Sequence, residues 1–213
     1  MDNDGSFERL YEDAGQVYER IPWAALAPRP ALIDWLDRDA AGDGAPALVI
    51  ACGLGDDAEE LARRGFAVEA FDYAPTAISQ ARRRFPESVV NYQVADLLDL
   101  PIAWRGRFAR VVEVQTIQST PPDSHRAAIA AIAATLAPGG KLFLRAAMRS
   151  EHQAASQRPW PLRWSELEWF SEEGLVMTDR LDGHDDDVFV HVEYTREGPI
   201  APVQPGFALR RGA

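Results

Sequence analysis

Two glycines and two acidic residues have the types and spacing to hold a nucleotide. The run Leu48-Val49-Ile50-Ala51-Cys52-Gly53-Leu54-Gly55-Asp56-Asp57-Ala58 reads as an apolar strand, a sharp turn and the start of a helix. It fits the spacing G-x-G-x-x-G/A, by which an α/β fold places a cofactor at the carboxyl end of its first strand. Glycine takes backbone torsions that other residues resist and lets the main chain approach a ligand closely. About 20 residues on, Asp72 ends the next apolar run, Phe66-Ala67-Val68-Glu69-Ala70-Phe71. A carboxylate there can accept hydrogen bonds from both hydroxyls of a ribose. The expectation is an adenosine-type cofactor bordered by Ala51, Cys52, Gly53, Gly55, Asp72 and the adjoining Tyr73. Asp96 follows Asn91-Tyr92-Gln93-Val94-Ala95, where a third strand ends. Its carboxylate can accept from an adenine amino group while the amide of Leu97 donates to a ring nitrogen.

Other chemistry is excluded or weak. Cys52 is the only cysteine, so no internal disulfide is possible, and Lys141 is the only lysine. There is no Gly-Lys-Ser/Thr phosphate loop and no Tyr-x-x-x-Lys pair. The cysteine and the four histidines lack metal-ligand spacing, so no metal is expected. Three histidines are acid or base candidates. His125 follows Pro122-Asp123-Ser124, a helix N-cap pattern that predicts a surface position. His152 lies just after the fifth strand, near where acceptors enter. His191 alternates with Val190 and Val192, which predicts that it faces solvent or a neighbouring strand.

These groups need elements to position them. The 213 residues suit one domain with a real core, and 46% are apolar. No apolar run is long enough for a bilayer, and the first residues lack the pattern of a signal peptide. A cytoplasmic protein is expected. The net charge of −11 disfavours nucleic acid as a partner. The basic run Arg82-Arg83-Arg84 suits a helix C-terminus instead. Helical patterns fall at about 6–20, 31–39, 55–64, 75–84, 123–136 and 164–172. Strand patterns fall at about 46–51, 66–71, 89–93, 108–114, 140–146, 175–181 and 187–196. Pro138-Gly139-Gly140 is expected to stop one helix and turn into the fifth strand. The acidic stretch 182–187 lacks EF-hand spacing and reads as a solvated hairpin tip. The alternation predicts an α/β fold with a doubly wound, mostly parallel sheet. Residues 1–45 form an N-terminal helical cap and 46–213 the main domain.

The glycine loop, Asp72-Tyr73-Ala74-Pro75-Thr76-Ala77-Ile78, Asp96-Leu97 and Leu136-Ala137-Pro138-Gly139-Gly140 together resemble the class I S-adenosylmethionine-dependent methyltransferases, over about 46–147. The resemblance implies a Rossmann-like seven-stranded sheet whose last two strands form an antiparallel hairpin. It implies S-adenosylmethionine as methyl donor and S-adenosylhomocysteine as product. Two positions depart from the family. Ala51 takes the place of the loop's first glycine, and Val49 stands where the family usually has an acid that positions the methionine end. Glu113 is the candidate to balance the cofactor's amino group, or else an edge carboxylate facing solvent.

Within the family, Arg20-Ile21-Pro22-Trp23, Pro28-Arg29-Pro30 and Trp160-Pro161-Leu162 look most similar to the thiopurine S-methyltransferase and thiol, halide or tellurite methyltransferase branch. That resemblance implies that Trp23 closes over the cofactor. The branch's acid-arginine-glycine run after the fourth strand is here Glu113-Val114-Gln115. No Asp/Asn-Pro-Pro-Tyr/Phe sequence follows that strand, so the expected acceptor is a small molecule, possible examples being a thiol or related soft nucleophile. In-line transfer to a thiol needs no dedicated base. A monomer or small homo-oligomer is expected. The competing readings are a nicotinamide-dependent oxidoreductase and a non-catalytic S-adenosylmethionine-binding protein.

Overall fold

The computed structural model describes residues 5–38, 41–154, 157–181 and 188–198. The acidic stretch 182–187 lies outside the described residues.

Five parallel strands form the centre of one sheet: β1 (Pro46–Ile50), β2 (Ala67–Asp72), β3 (Asn91–Val94), β4 (Phe108–Val114) and β5 (Leu136–Ala147). The last two, β6 (Leu175–Arg180) and β7 (Phe189–Arg196), make the antiparallel hairpin that was expected, with β7 against β5. The order is β3-β2-β1-β4-β5-β7-β6. The chain leaves β1 towards β2 on one side and later returns to β4 on the other. That reversal opens a crevice above the carboxyl ends of β1 and β4.

Seven helices flank the described sheet: α1 (Ser6–Ala14), α2 (Pro30–Leu36), α3 (Asp56–Arg63), α4 (Pro75–Arg84), α5 (His125–Thr135), α6 (Trp164–Leu167) and α7 (Trp169–Glu172). Pro30 and Pro75 open α2 and α4, where a missing amide proton costs nothing. Asp56, Asp57 and Glu59 sit in the first turn of α3, and Arg82, Arg83 and Arg84 in the last turn of α4, each complementing the helix dipole.

Alternation along the strands builds two cores. Ala47, Val49, Ala70, Val112 and Phe143 face α2, α3 and α4. Leu48, Ile50, Phe71, Val111, Leu142 and Leu144 face Ala128, Ile129 and Ile132 of α5. A third cluster joins Tyr11 and Ala14 of α1 to Ile21, Leu54, Ala74 and Ala77, above the ends of the strands. Trp35 of α2 spans to the hairpin, its indole N–H donating to Glu193 Oε2 at 2.7 Å.

Several boundaries differ from the sequence reading. The first helix stops at Gly15, whose φ of 57° ends it, and a 3-10 turn (Tyr18–Arg20) follows. Leu136 already belongs to β5, so Pro138-Gly139-Gly140 lies within a strand. The β4–β5 register shifts between Phe108 and Arg110, which absorbs those residues as an irregularity. The late helix breaks at Glu168 into α6 and α7.

One histidine expectation needs correction, while His191 faces the neighbouring strand β5 as one of its two expectations had it. His125 is not on the surface but fully buried, its Nδ1 2.7 Å from Glu166 Oε1 and its Nε2 3.0 Å from the Thr120 carbonyl. Arg149 reaches the other oxygen of Glu166 at 3.3 Å. This network pins the start of α5 to α6, and hydrogen bonds from His125 and Arg163 with the Arg149 charge hold the Glu166 carboxyl below its usual range despite burial. His191 is buried too, its ring tilted against Phe143.

Candidate functional site

The turn after β1 is built from left-handed backbone. Ala51, Gly53 and Gly55 have φ of 46°, 53° and 92°. Side chains at the two glycines would also collide. A Cβ on Gly55 would lie 2.4 Å from Tyr92 Oη, and one on Gly53 would lie 3.0 Å from Tyr11 Oη. Ala51 takes the same region with a methyl group, which costs about 1 kcal/mol.

Asp72, the last residue of β2, braces this turn. Its Oδ2 accepts from the Gly53 amide at 2.9 Å and its Oδ1 from the Ala74 amide at 2.9 Å. Burial pushes its carboxyl up to about 6, against the opposing pull of those amides and that of Tyr73. Burial and the Asp72 charge push the neighbouring Cys52 thiol well up, so it stays protonated and unreactive.

A cavity of about 870 Å³ opens at the carboxyl ends of β1 and β4. Trp23, Ala51, Cys52, Gly53, Asp72 and Tyr73 all line it. Four other sequence candidates do not. Gly55 sits behind the turn, against Tyr92. Asp96 lies on the same rim, two residues beyond Val94, which pairs with Asp72, but its Oδ1 accepts from the Leu98 amide and caps its own 3-10 turn. Leu97 is buried in the core. Glu113 is neither on the cavity wall nor at a solvent edge. It is fully buried, and its Oε1 accepts from the amides of Thr116 and Ile117. Its Oε2 meets no hydrogen-bond donor among the described residues, and burial pushes the carboxyl up to about 7. Neither His125, His152 nor His191 lines the cavity.

The N-terminal elements roof the site. Phe7, Leu10 and Tyr11 of α1 line it, and the Trp23 indole N–H donates to Tyr11 Oη at 3.0 Å. Phe7 and Tyr11 both meet Trp23 edge to face. Glu8 and Gln80 fasten α1 and its C-cap to α4. Glu8 accepts from the Thr76 amide at 3.1 Å, and Gln80 Nε2 donates to the carbonyls of Tyr11 and Gly15.

Sequence reasoning did not pick out several polar residues on this wall. Asp57, one step into α3, accepts from the Arg29 amide at 3.0 Å, and burial raises its carboxyl. Arg29 donates to the Trp23 carbonyl at 3.0 Å. Arg145, near the end of β5, stacks on Phe189, and Arg158 lies over Phe7. Gln115 has φ of 61° and its amide donates to the Arg145 carbonyl at 2.8 Å. An arginine on a strand is placed on a face by alternation, but only the fold shows which strand end meets the cavity.

Among the described residues, no group of three or more His, Cys, Asp or Glu is placed to hold a metal ion. None of their helices is long and apolar enough to cross a membrane.

Comparison with known proteins bears on this geometry. Residues 47–140 match the model of a family described as a methyltransferase domain. A ubiquinone biosynthesis O-methyltransferase of Xanthomonas oryzae pv. oryzae (strain PXO99A) is 35% identical over 149 residues, 66% of this chain and 62% of the relative. The chain thus spans less than two thirds of that relative's length. The N-methyltransferase NodS of Bradyrhizobium japonicum WM9 superposes with a TM-score of 0.69 at 21% identity, covering 91% of this chain and 99% of that one. A TehB-like S-adenosylmethionine-dependent methyltransferase of Corynebacterium glutamicum gives 0.66 at 21% identity, covering 88% and 98%. Both share the fold of this chain. Residues 47–140 thus resemble a methyltransferase domain over less than half of the chain, and the fold is that of these methyltransferase structures.

Proposed function

We propose that the protein transfers a methyl group from S-adenosylmethionine to a small molecule. The cavity at the β1–β4 switch point, with Asp72 and the left-handed turn at one end, is the observation that carries this reading. The Asp72 carboxylate braces the turn through the Gly53 and Ala74 amides and stands on the cavity wall, where it can also accept from a ribose hydroxyl. Tyr73 lines the wall where adenine fits, and Asp96 lies on the same rim. At the methionine end, Asp57 stands in for the acid missing at Val49 and faces the amino group, while Arg29 faces the carboxylate. When bound, the cofactor supplies an electrophilic methyl on a sulfonium. The chain's own work is to align the acceptor with that methyl and to exclude water. Phe7, Tyr11 and Trp23 form the lid that does the excluding.

A thiol or similar soft nucleophile is the acceptor atom we favour. Among the described residues no histidine or lysine lines the cavity, and thiols ionise partly without a base. The related O-methyltransferase favours a phenolic oxygen as the second reading. Incubation with methyl-labelled S-adenosylmethionine and a panel of thiols, phenols and amines separates the two. Label on thiols first supports the soft-nucleophile reading, and label on phenols alone the second. No label on any acceptor, from a chain that binds the product cofactor, points to a non-catalytic binding protein.

A further inference from the structure

We infer that the acceptor is a planar aromatic molecule carrying an anionic group, and that Arg145 and Arg158 hold that group. The inference rests on the methyltransferase reading and names the substrate class of the same site.

Both guanidiniums stand on the cavity wall, and both are stacked on rings. Arg145 lies 3.6 Å from the centroid of Phe189, at the start of β7. Arg158 lies 5.0 Å from Phe7 and 5.4 Å from Trp160, with Nη1 donating to Ser6 Oγ at 2.6 Å. Stacking fixes the plane of a guanidinium and aims its N–H groups along that plane, which suits in-plane recognition of a carboxylate or other anion. The pairs come from separate segments, α1 with the 157–160 segment, and β5 with β7. Their rings, with Trp23, supply flat apolar surface for an aromatic body.

Charge on the wall points the same way. Among the described residues, three carboxylates (Asp56, Asp57, Asp72) and three guanidiniums (Arg29, Arg145, Arg158) line the cavity. Asp56 is already paired at 2.7 Å with Arg84, which is not on the wall. The methyl donor brings one net positive charge, from a sulfonium, an ammonium and a carboxylate. An anionic acceptor offsets this excess. A neutral or cationic one leaves it in a poorly solvated space. The described wall thus balances its own charges, and the net positive charge that calls for an anion is the methyl donor's.

The test is binding of matched probes to the full chain saturated with S-adenosylhomocysteine, by calorimetry at pH 7.5. The acids are benzoate, 2-mercaptobenzoate and 4-nitrothiophenolate. Their uncharged counterparts are benzamide, 2-(methylthio)benzamide and 4-nitrothioanisole, the thiols being capped because a free aryl thiol ionises at this pH. At least one acid is expected to bind about tenfold or more tightly than its counterpart, the scale of a hydrogen-bonded charge. The acid that binds shows whether the anion is a carboxylate or a thiolate. Arg158→Gln and Arg145→Gln are each expected to weaken it about tenfold, with Arg158→Lys intermediate, while product-cofactor affinity changes by less than about threefold. If Arg145→Gln does not fold, the two Arg158 variants decide. Neutral probes binding as well as the acids, substitutions without effect, or no acid binding to a chain that does bind S-adenosylhomocysteine would each overturn the inference. Failure of S-adenosylhomocysteine itself to bind overturns the methyltransferase reading instead.

Discussion

At Asp72 burial and hydrogen bonding pull in opposite directions, and burial wins, with the carboxyl held at about 6. Glu113 is a stronger case, held at about 7 with one oxygen lacking a described donor. For an acid with a raised folded value, the folded chain binds the proton more tightly than the unfolded one. Its stabilising contribution is full below the ordinary value of 4.5 and is lost as pH rises through about 7. Glu113→Gln keeps an acceptor for the Thr116 and Ile117 amides and stays neutral. Its melting temperature, relative to the parent, is expected to climb by several degrees between pH 5 and pH 8. Parallel melting curves against pH would contradict the assignment. Ala51 supplies a second test. Ala51→Gly relieves a left-handed alanine and is expected to leave stability equal or higher by up to about 1 kcal/mol. Ala51→Val is expected to lower it by more than about 1 kcal/mol in denaturant titration, because a branched side chain resists positive φ. Gly53 and Asp72 were legible because strand–turn–strand spacing places them whatever else the fold does. Glu113 was legible as an unusual residue but not in its role. His125 was misread because Glu166, its partner, lies 41 residues away in sequence.

The N-terminal elements link stability to access. α1 is held on α4 by Glu8 and Gln80 and reaches the cavity through Phe7 and Tyr11. Glu8→Ala removes the acceptor for the Thr76 amide, a capping contact worth about 1 kcal/mol. Faster amide hydrogen exchange is expected in α1 and at the start of α4, with the central strands unchanged. Uniformly faster exchange across the sheet, or none, would refute a separately opening lid. The main strands were readable as apolar runs because parallel strands are buried on both faces. The segment 136–140 was not, because Pro-Gly-Gly is a stop signal by composition and becomes part of β5 only by pairing with β4. The break between α6 and α7 likewise has no glycine or proline to announce it.

At the scale of the whole molecule, strand order does most to place the site. The reversal between β1 and β4 gathers Ala51, Gly53, Asp72 and Gln115 from three strand ends into one cavity. Alternating strand and helix patterns made that architecture readable. The acceptor half was not readable, because Arg145, Arg158, Phe7 and Phe189 come from four separate segments that only the closed sheet and the docked α1 bring together. Net charge misleads there as well, since an acidic exterior says nothing about an arginine-bearing wall. Calorimetric titration of S-adenosylhomocysteine into the full chain tests the central claim most directly. One site per chain is expected, with binding weakened about a hundredfold or more in Asp72→Ala and no heat from NADH. Silence with S-adenosylhomocysteine at millimolar concentration, or equal binding by Asp72→Ala, would contradict it.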